Sequence, residues 1–134
     1  MIKIEHIGIA VNDLSVSNVL FEKLFGVPPY KLEEVQSEGV NTSFFMNGPN
    51  KIELLEATTP ESPIAKFLEK KGEGIHHIAF DVEDINTEIA RLKKEGFIVL
   101  NEIPKKGADN KLVAFLHPKG TNGVLIELCQ EIKA

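Results

Sequence analysis

EHIGIAV at residues 5–11 and IHHIAFDV at residues 75–82 are one short strand written twice, each time with a histidine at its entrance. Aligned, His6-Ile7-Gly8-Ile9-Ala10-Val11-Asn12-Asp13-Leu14 matches His77-Ile78-Ala79-Phe80-Asp81-Val82-Glu83-Asp84-Ile85, an alternating strand that closes on an aspartate able to cap a helix. A repeat of this kind sets the architecture before any other signal does. Helical spacing follows each aspartate. Val16, Leu20 and Leu24 recur every four residues between Asp13 and Gly26, where Pro28 forbids continuation; Ile85, Ile89 and Leu92 do the same between Asp84 and Gly96. Three strand-like stretches come next in each half, 30–35, 40–46 and 51–56 in the first and 97–102, 111–116 and 123–129 in the second. Both halves therefore read βαβββ. The spacing predicts an α+β fold of two tandem modules, 1–58 and 75–134, joined over 59–74 by a helix with Ser62 as cap, Pro63 at its first position and Gly72 as its stop.

Composition narrows the function classes. A chain of 134 residues is long enough for a real core and too short for two conventional domains, so a single domain over 1–134 is expected. Hydrophobic residues at 43% and charged residues at 26% suit an ordinary globular protein, and no apolar run approaches bilayer length, which argues against a membrane role. MIKIEHIGIAVNDL lacks the basic, apolar and small-residue segments of an export signal. With Cys129 as the lone cysteine, no internal disulfide can form, and a cytoplasmic location is expected. A net charge of −5 without a Lys/Arg stripe argues against a nucleic-acid partner and leaves a small molecule as the substrate.

Strand alternation decides which side chains share a face. Ile7, Ile9 and Val11 in one half, and Ile78, Phe80 and Val82 in the other, form apolar faces for the helices. The opposite faces hold His6, Gly8 and Ala10, and His77, Ala79 and Asp81, mostly too small to fill a core and so leaving room for a ligand. In the last strands Ile52 and Leu54, or Ile126 and Leu128, face the helices, which leaves Glu53 and Glu127 on the histidine side. Singly, each histidine reads as a strand-end residue and each glutamate as a solvated one. Together, two imidazoles and two carboxylates at repeated positions suit a divalent first-row metal, with water or substrate oxygen completing an octahedron.

The duplicated βαβββ pattern, with a His on the first strand and a Glu on the last, resembles the vicinal oxygen chelate superfamily. Within it, IELLEATTPESPIAKFLEKKGEGIHHIAFDVEDI (52–85) and GADNKLVAFLHPKGTNGVLIEL (107–128) are similar to the methylmalonyl-CoA epimerases, with SPIAKFL, GIHHIAF, HPK and GVLIEL the most specific segments. The resemblance implies a cupped mixed sheet around a metal held by His6, Glu53, His77 and Glu127. It implies interconversion of the (2R) and (2S) forms of methylmalonyl-CoA through an enolate, with Glu127 as a base, cobalt as the metal and a homodimer as the assembly. Nickel, manganese, magnesium and zinc suit the same donors. No organic cofactor is expected.

One position departs from part of that family. Some epimerases place a second basic glutamate on the middle strand of the first module, where this chain has Thr42, and carry a glutamine where it has Glu53. Threonine is a poor base, so Glu53 and Glu127 are expected to form an opposed pair of proton carriers, as the ligand carboxylates of glyoxalase I do. A lactoylglutathione lyase is the alternative, but glutathione sites in that family use arginine, and Arg91, the only one here, lies on the second module's helix. A non-catalytic binding protein would not need four ligands, and a ring-cleaving dioxygenase would leave Glu53 unexplained. Other features read as structural. His76 points to the opposite strand face from His77, His117 shapes a hairpin tip with Pro118 and Gly120, and Gly107 and Gly123 serve turns. Lysines 105, 106, 111 and 119 are loop residues within reach of CoA phosphates, though loop lysines are usually solvated. The amides at Ser62-Pro63 suit a carboxylate, but ordinary capping accounts for them.

Overall fold

A computed structural model gives the structure of the chain and describes Met1–Lys133. The chain divides into two compact units, His6–His76 and Met1–Glu5 with the chain from His77 onward.

In the unit from His6 to His76, β1 (Lys3–Ala10) leads into α1 (Leu14–Phe25), then β2 (Lys31–Val35), β3 (Val40–Asn47), β4 (Asn50–Ala57) and α2 (Pro63–Lys71). The sheet runs β2-β3-β4-β1, with β1 parallel to β4 and the other neighbours antiparallel. Asp13 caps α1 by accepting from the Val16 amide, and Gly26 ends the helix in the left-handed region at φ 78°. Ser62 caps α2, with Pro63 at its first turn and Gly72 behind its last. The helical spacing on α1 finds the helix but not its buried face. Val16, Leu20 and Leu24 are 65%, 60% and 69% exposed. The inward row is the buried Leu14 and Ser17 with the half-buried Phe21 and Phe25, whose rings meet Phe45 of β3 beside Val11, Ile52 and Leu54. Two phenyl groups offer more apolar area than the valine and leucines, so they take the sheet.

The second unit repeats the plan with β5 (Gly74–Asp81), α3 (Ile85–Lys94), β6 (Lys105–Lys106), β7 (Lys111–Leu116) and β8 (Ile126–Glu131), in the order β5-β8-β7-β6. Here the expected stripe does pack: Ile85, Ile89 and Leu92 join Val82, Ala114, Leu116 and Leu128 in the core. The strand expected over 97–102 does not form. Val99 makes a single bridge to Leu116, and the Asn101 side chain then takes the place of backbone rungs, donating to Val113 O at 3.1 Å and accepting from Phe115 N at 3.0 Å. The strand on that edge of β7 is the two-residue Lys105–Lys106. The last strand starts three residues later than expected because Asn122 and Gly123 adopt left-handed φ values of 55° and 85° and extend the preceding turn. Gly107 is not a turn residue either. A Cβ there would lie 3.1 Å from both γ carbons of Val113, so close approach is what requires it.

The two units match in register. Gly8 pairs with Glu53 and Ala79 with Glu127, each a residue of the first strand beside the glutamate of the last. The repeat extends to a cap not evident from the sequence: Glu56 accepts from the first amide of α1 (Leu14) and Gln130 from that of α3 (Ile85), both at 2.8 Å. The last strand thus holds the helix start in place. Gln130→Ala is expected to cost about 1 kcal/mol, lowering the thermal midpoint by about 4 °C; an unchanged midpoint would show that water replaces the amide fully. No helix among the described residues is long and apolar enough to cross a membrane.

Candidate active site

In the unit from His6 to His76, β1 presents His6, Gly8 and Ala10 to one side and β4 presents Lys51 and Glu53 to the same side. The absence of side chains at Gly8 and of bulk at Ala10 lets the longer groups lie over the sheet. His6 Nδ1 stands 3.1 Å from Glu53 Oε2, and both residues are buried. Lys51 Nζ lies 3.4 Å from the same oxygen and 5.1 Å from the ring centroid of Phe44, which is the β3 residue paired with Glu53. Lys31 Nζ lies at 5.1 Å from that ring too, but its side chain is 39% exposed against 6% for Lys51. Thr42, one alternation from Phe44 on β3, is buried with its hydroxyl lacking a hydrogen-bond partner.

The other unit carries the same pair. His77 Nε2 lies 2.9 Å from Glu127 Oε1, both side chains buried. Phe115 pairs with Glu127 in register as Phe44 does with Glu53, and its ring stands edge-on to His77 at 6.3 Å. Cys129 donates its thiol to Glu127 Oε2 at 3.4 Å. The repeat is therefore close but unequal. Cys129 stands where the first half has Leu55, and Leu125 stands where it has Lys51, so only the first half carries a buried cation on this face.

A buried carboxylate needs compensation, and in each unit an imidazole supplies it. The same spacing bears on metal binding. Nitrogen and oxygen donors each about 2.1 Å from one cation and at right angles stand about 3 Å apart. His6 with Glu53 and His77 with Glu127 have that separation, so within its own unit each pair fits as two adjacent donors to a hard or borderline divalent ion.

The remaining candidates have structural partners. His76 packs edge-on against Phe67 of α2 at 5.0 Å. His117 Nδ1 accepts from the Lys119 amide at 2.9 Å and so fixes its own turn. Arg91 bonds Glu88 one helical turn away and holds that carboxyl below its ordinary range. Lys105 and Lys106 are exposed on β6, and Lys111 Nζ lies 3.9 Å from Glu5. Lys51, Phe44 and Phe115 escape a reading confined to metal-donor types, and the contact of Cys129 with Glu127 escapes one confined to disulfides. The signal for Lys51 is nevertheless in KIEL: it is one alternation from Glu53 and must share its face.

Comparison with known proteins places these residues in a family context. The profile of the Glyoxalase/Bleomycin resistance protein/Dioxygenase superfamily matches residues 5–115. The ethylmalonyl-CoA/methylmalonyl-CoA epimerase of Cereibacter sphaeroides is 42% identical, the match covering 96% of this chain and 97% of the relative. The mitochondrial methylmalonyl-CoA epimerase of Homo sapiens is 40% identical over 96% of this chain and 73% of its own. A variant of the Streptomyces coelicolor methylmalonyl-CoA epimerase, in complex with 2-nitronate-propionyl-CoA, superposes with a TM-score of 0.93 at 33% identity over 99% of both chains. The fold is accordingly glyoxalase-like and of the α+β class.

Proposed function

The chain belongs to the Glyoxalase/Bleomycin resistance protein/Dioxygenase superfamily and to the methylmalonyl-CoA epimerases within it, and from that premise we propose that it interconverts (2R)- and (2S)-methylmalonyl-CoA at a metal site made of His6, Glu53, His77 and Glu127. The observation that carries the site is the buried imidazole–carboxylate pair repeated in both units, at 3.1 and 2.9 Å.

The proton to be moved sits on a carbon between a thioester carbonyl and a carboxylate. Inversion requires one group to remove it and another to return a proton to the opposite face. Glu127 takes the proton and becomes a carboxylic acid, while the electron pair left on carbon delocalises onto the thioester oxygen. Glu53, starting as the acid, delivers its proton to the other face; the reverse reaction exchanges the roles. Thr42 offers no comparable base. His6 and His77 hold the carboxylates, and Phe44 and Phe115 stand beside them on the neighbouring strands. His6, Glu53, His77 and Glu127 would hold a divalent cation, which when bound would supply Lewis-acid charge stabilising the developing negative charge by several kcal/mol. Cobalt is the metal we assign, a homodimer the assembly, and the cytoplasm the compartment, on the family resemblance and the lone buried thiol.

The test is incubation of cobalt-loaded protein with (2S)-methylmalonyl-CoA in heavy water. One deuteron at the α-carbon and the (2R) epimer are expected, both lost on chelation. Turnover of a glutathione hemithioacetal without such exchange would overturn the assignment in favour of a lyase.

A further inference from the structure

We propose that the buried hydroxyl of Thr42 donates a hydrogen bond to the thioester carbonyl oxygen of the substrate and stabilises the charge that develops there. This rests on the epimerase reading of the site. Thr42 is 1% exposed, and its Oγ1 has no hydrogen-bond partner. A hydroxyl desolvated without a partner is costly, so a folded chain that keeps one calls for an explanation. Its position supplies one. Phe44 pairs with Glu53 and Thr42 with Leu55, so alternation puts Thr42 on the face of β3 and β4 that carries Glu53, as a diagonal neighbour of that carboxylate. Such neighbours stand about 7–8 Å apart, a spacing that one acyl group bridges. The Ser43 hydroxyl also lacks a partner, but it lies on the opposite face with Leu54, which packs toward α1.

The second unit shows that the fold does not ask for this hydroxyl. Phe115 pairs with Glu127 as Phe44 does with Glu53, and two residues earlier β7 carries Val113, 4% exposed, where β3 carries Thr42. Valine has the branched shape of threonine without the oxygen, so packing alone is met by an apolar residue at the repeated position. A ligand is then the reason for the oxygen. The hydroxyl offers one donor and no charge. Of the acceptors bonded to the reacting carbon, the free carboxylate needs a counter-charge when it leaves water, whereas the thioester carbonyl needs only a donor. As a proton leaves the α-carbon, its electron pair moves onto that carbonyl oxygen and the bond from Thr42 becomes charge-assisted. The hydroxyl proton stays on Thr42, and the pair returns to carbon when a proton is delivered to the other face. A donor fixed where charge develops holds the transition state more tightly than the bound substrate, so its loss falls on kcat.

The test compares Thr42→Val and Thr42→Ser with the wild type, in epimerisation of methylmalonyl-CoA by cobalt-loaded protein and in thermal unfolding of chelated, substrate-free protein. Thr42→Val should lower kcat about 100-fold and leave KM within about fivefold. Its thermal midpoint should hold or rise, because the variant removes a desolvated oxygen that bonds nothing in the free protein. Thr42→Ser keeps the donor and should keep kcat within about fivefold. Propionyl-CoA retains the thioester carbonyl and lacks the free carboxylate, so its calorimetric affinity should fall in Thr42→Val by the same factor as that of methylmalonyl-CoA. A lowered midpoint would give the hydroxyl a structural bond and overturn the proposal, as would an unchanged kcat. Weaker binding of methylmalonyl-CoA alone would assign the donor to the free carboxylate and overturn the carbonyl contact. If Thr42→Val does not fold, Thr42→Ala, which also lacks the hydroxyl, takes its place in the kinetic and binding arms. Failure of the epimerase reading registers separately, as absent deuterium incorporation by the wild type, whereas failure of the Thr42 contact leaves that incorporation intact.

Discussion

Glu127→Gln and Glu53→Gln are each expected to lower the rate of epimerisation by about 10³-fold and to split hydrogen exchange by stereochemistry in opposite senses. With two opposed carriers, each carboxylate removes the α-proton of one epimer and returns a proton to the other. A variant lacking one carrier still exchanges the epimer served by the survivor, since abstraction and return on the same face need one base. It cannot invert that epimer or exchange the other. Each single variant should therefore incorporate deuterium into one epimer only, and the two variants should choose different epimers. The replacements are isosteric and keep an oxygen that can face His77 Nε2 or His6 Nδ1, so the folded state should survive, as circular dichroism will report. Equal exchange of both epimers by Glu53→Gln would remove Glu53 from the chemistry and leave the second carrier to another group.

The repeat was the most legible part of the fold because it rests on side-chain type at fixed alternation. Asp13, Asp84, Ser62 and Gly26 do locally what their chemistry demands, whatever packs around them. What failed depended on competition between distant groups. On α1 two apolar rows compete for one sheet, and the choice of Phe21 and Phe25 over Val16, Leu20 and Leu24 is settled by Phe45, far along the chain. Over 97–102 a run of good strand formers keeps backbone rungs only around Val99 before one amide side chain, Asn101, takes over, a competitor that propensity does not register.

The candidate site was legible to the same depth. Alternation put each histidine and glutamate on one face, and the structure brings His6 to Glu53 and His77 to Glu127 within their own units. Lys51 was less visible, because a lysine is presumed solvated until a neighbouring carboxylate and a ring are known to enclose it. Cys129 was read only for its redox meaning. Its thiol on Glu127 shows a second use, as a weak donor to a buried carboxylate beside an imidazole.

The histidines bear the last and most general consequence. His77→Ala is expected to lower divalent-metal affinity by about 100-fold and, in the metal-free protein, to destabilise the fold by about 2 kcal/mol, because it takes the 2.9 Å partner from a carboxylate that is only 9% exposed. The Cys129 thiol left behind is too weak a donor to compensate. His6→Ala should lose as much metal affinity but less stability, since the Lys51 ammonium stays 3.4 Å from Glu53. That inequality follows from one of the unequal pairs of positions in the repeat, Lys51 against Leu125. It is read by calorimetric metal titration alongside urea unfolding of chelated samples. The Lys51→Met/His6→Ala double variant should then lose more stability than the sum of its single losses, because each single variant leaves Glu53 one of these two neighbours and the double variant removes both. Equal destabilisation by His6→Ala and His77→Ala would mean that the ammonium contributes nothing to Glu53, whereas metal affinity unchanged in either histidine variant would remove that residue from the donor set.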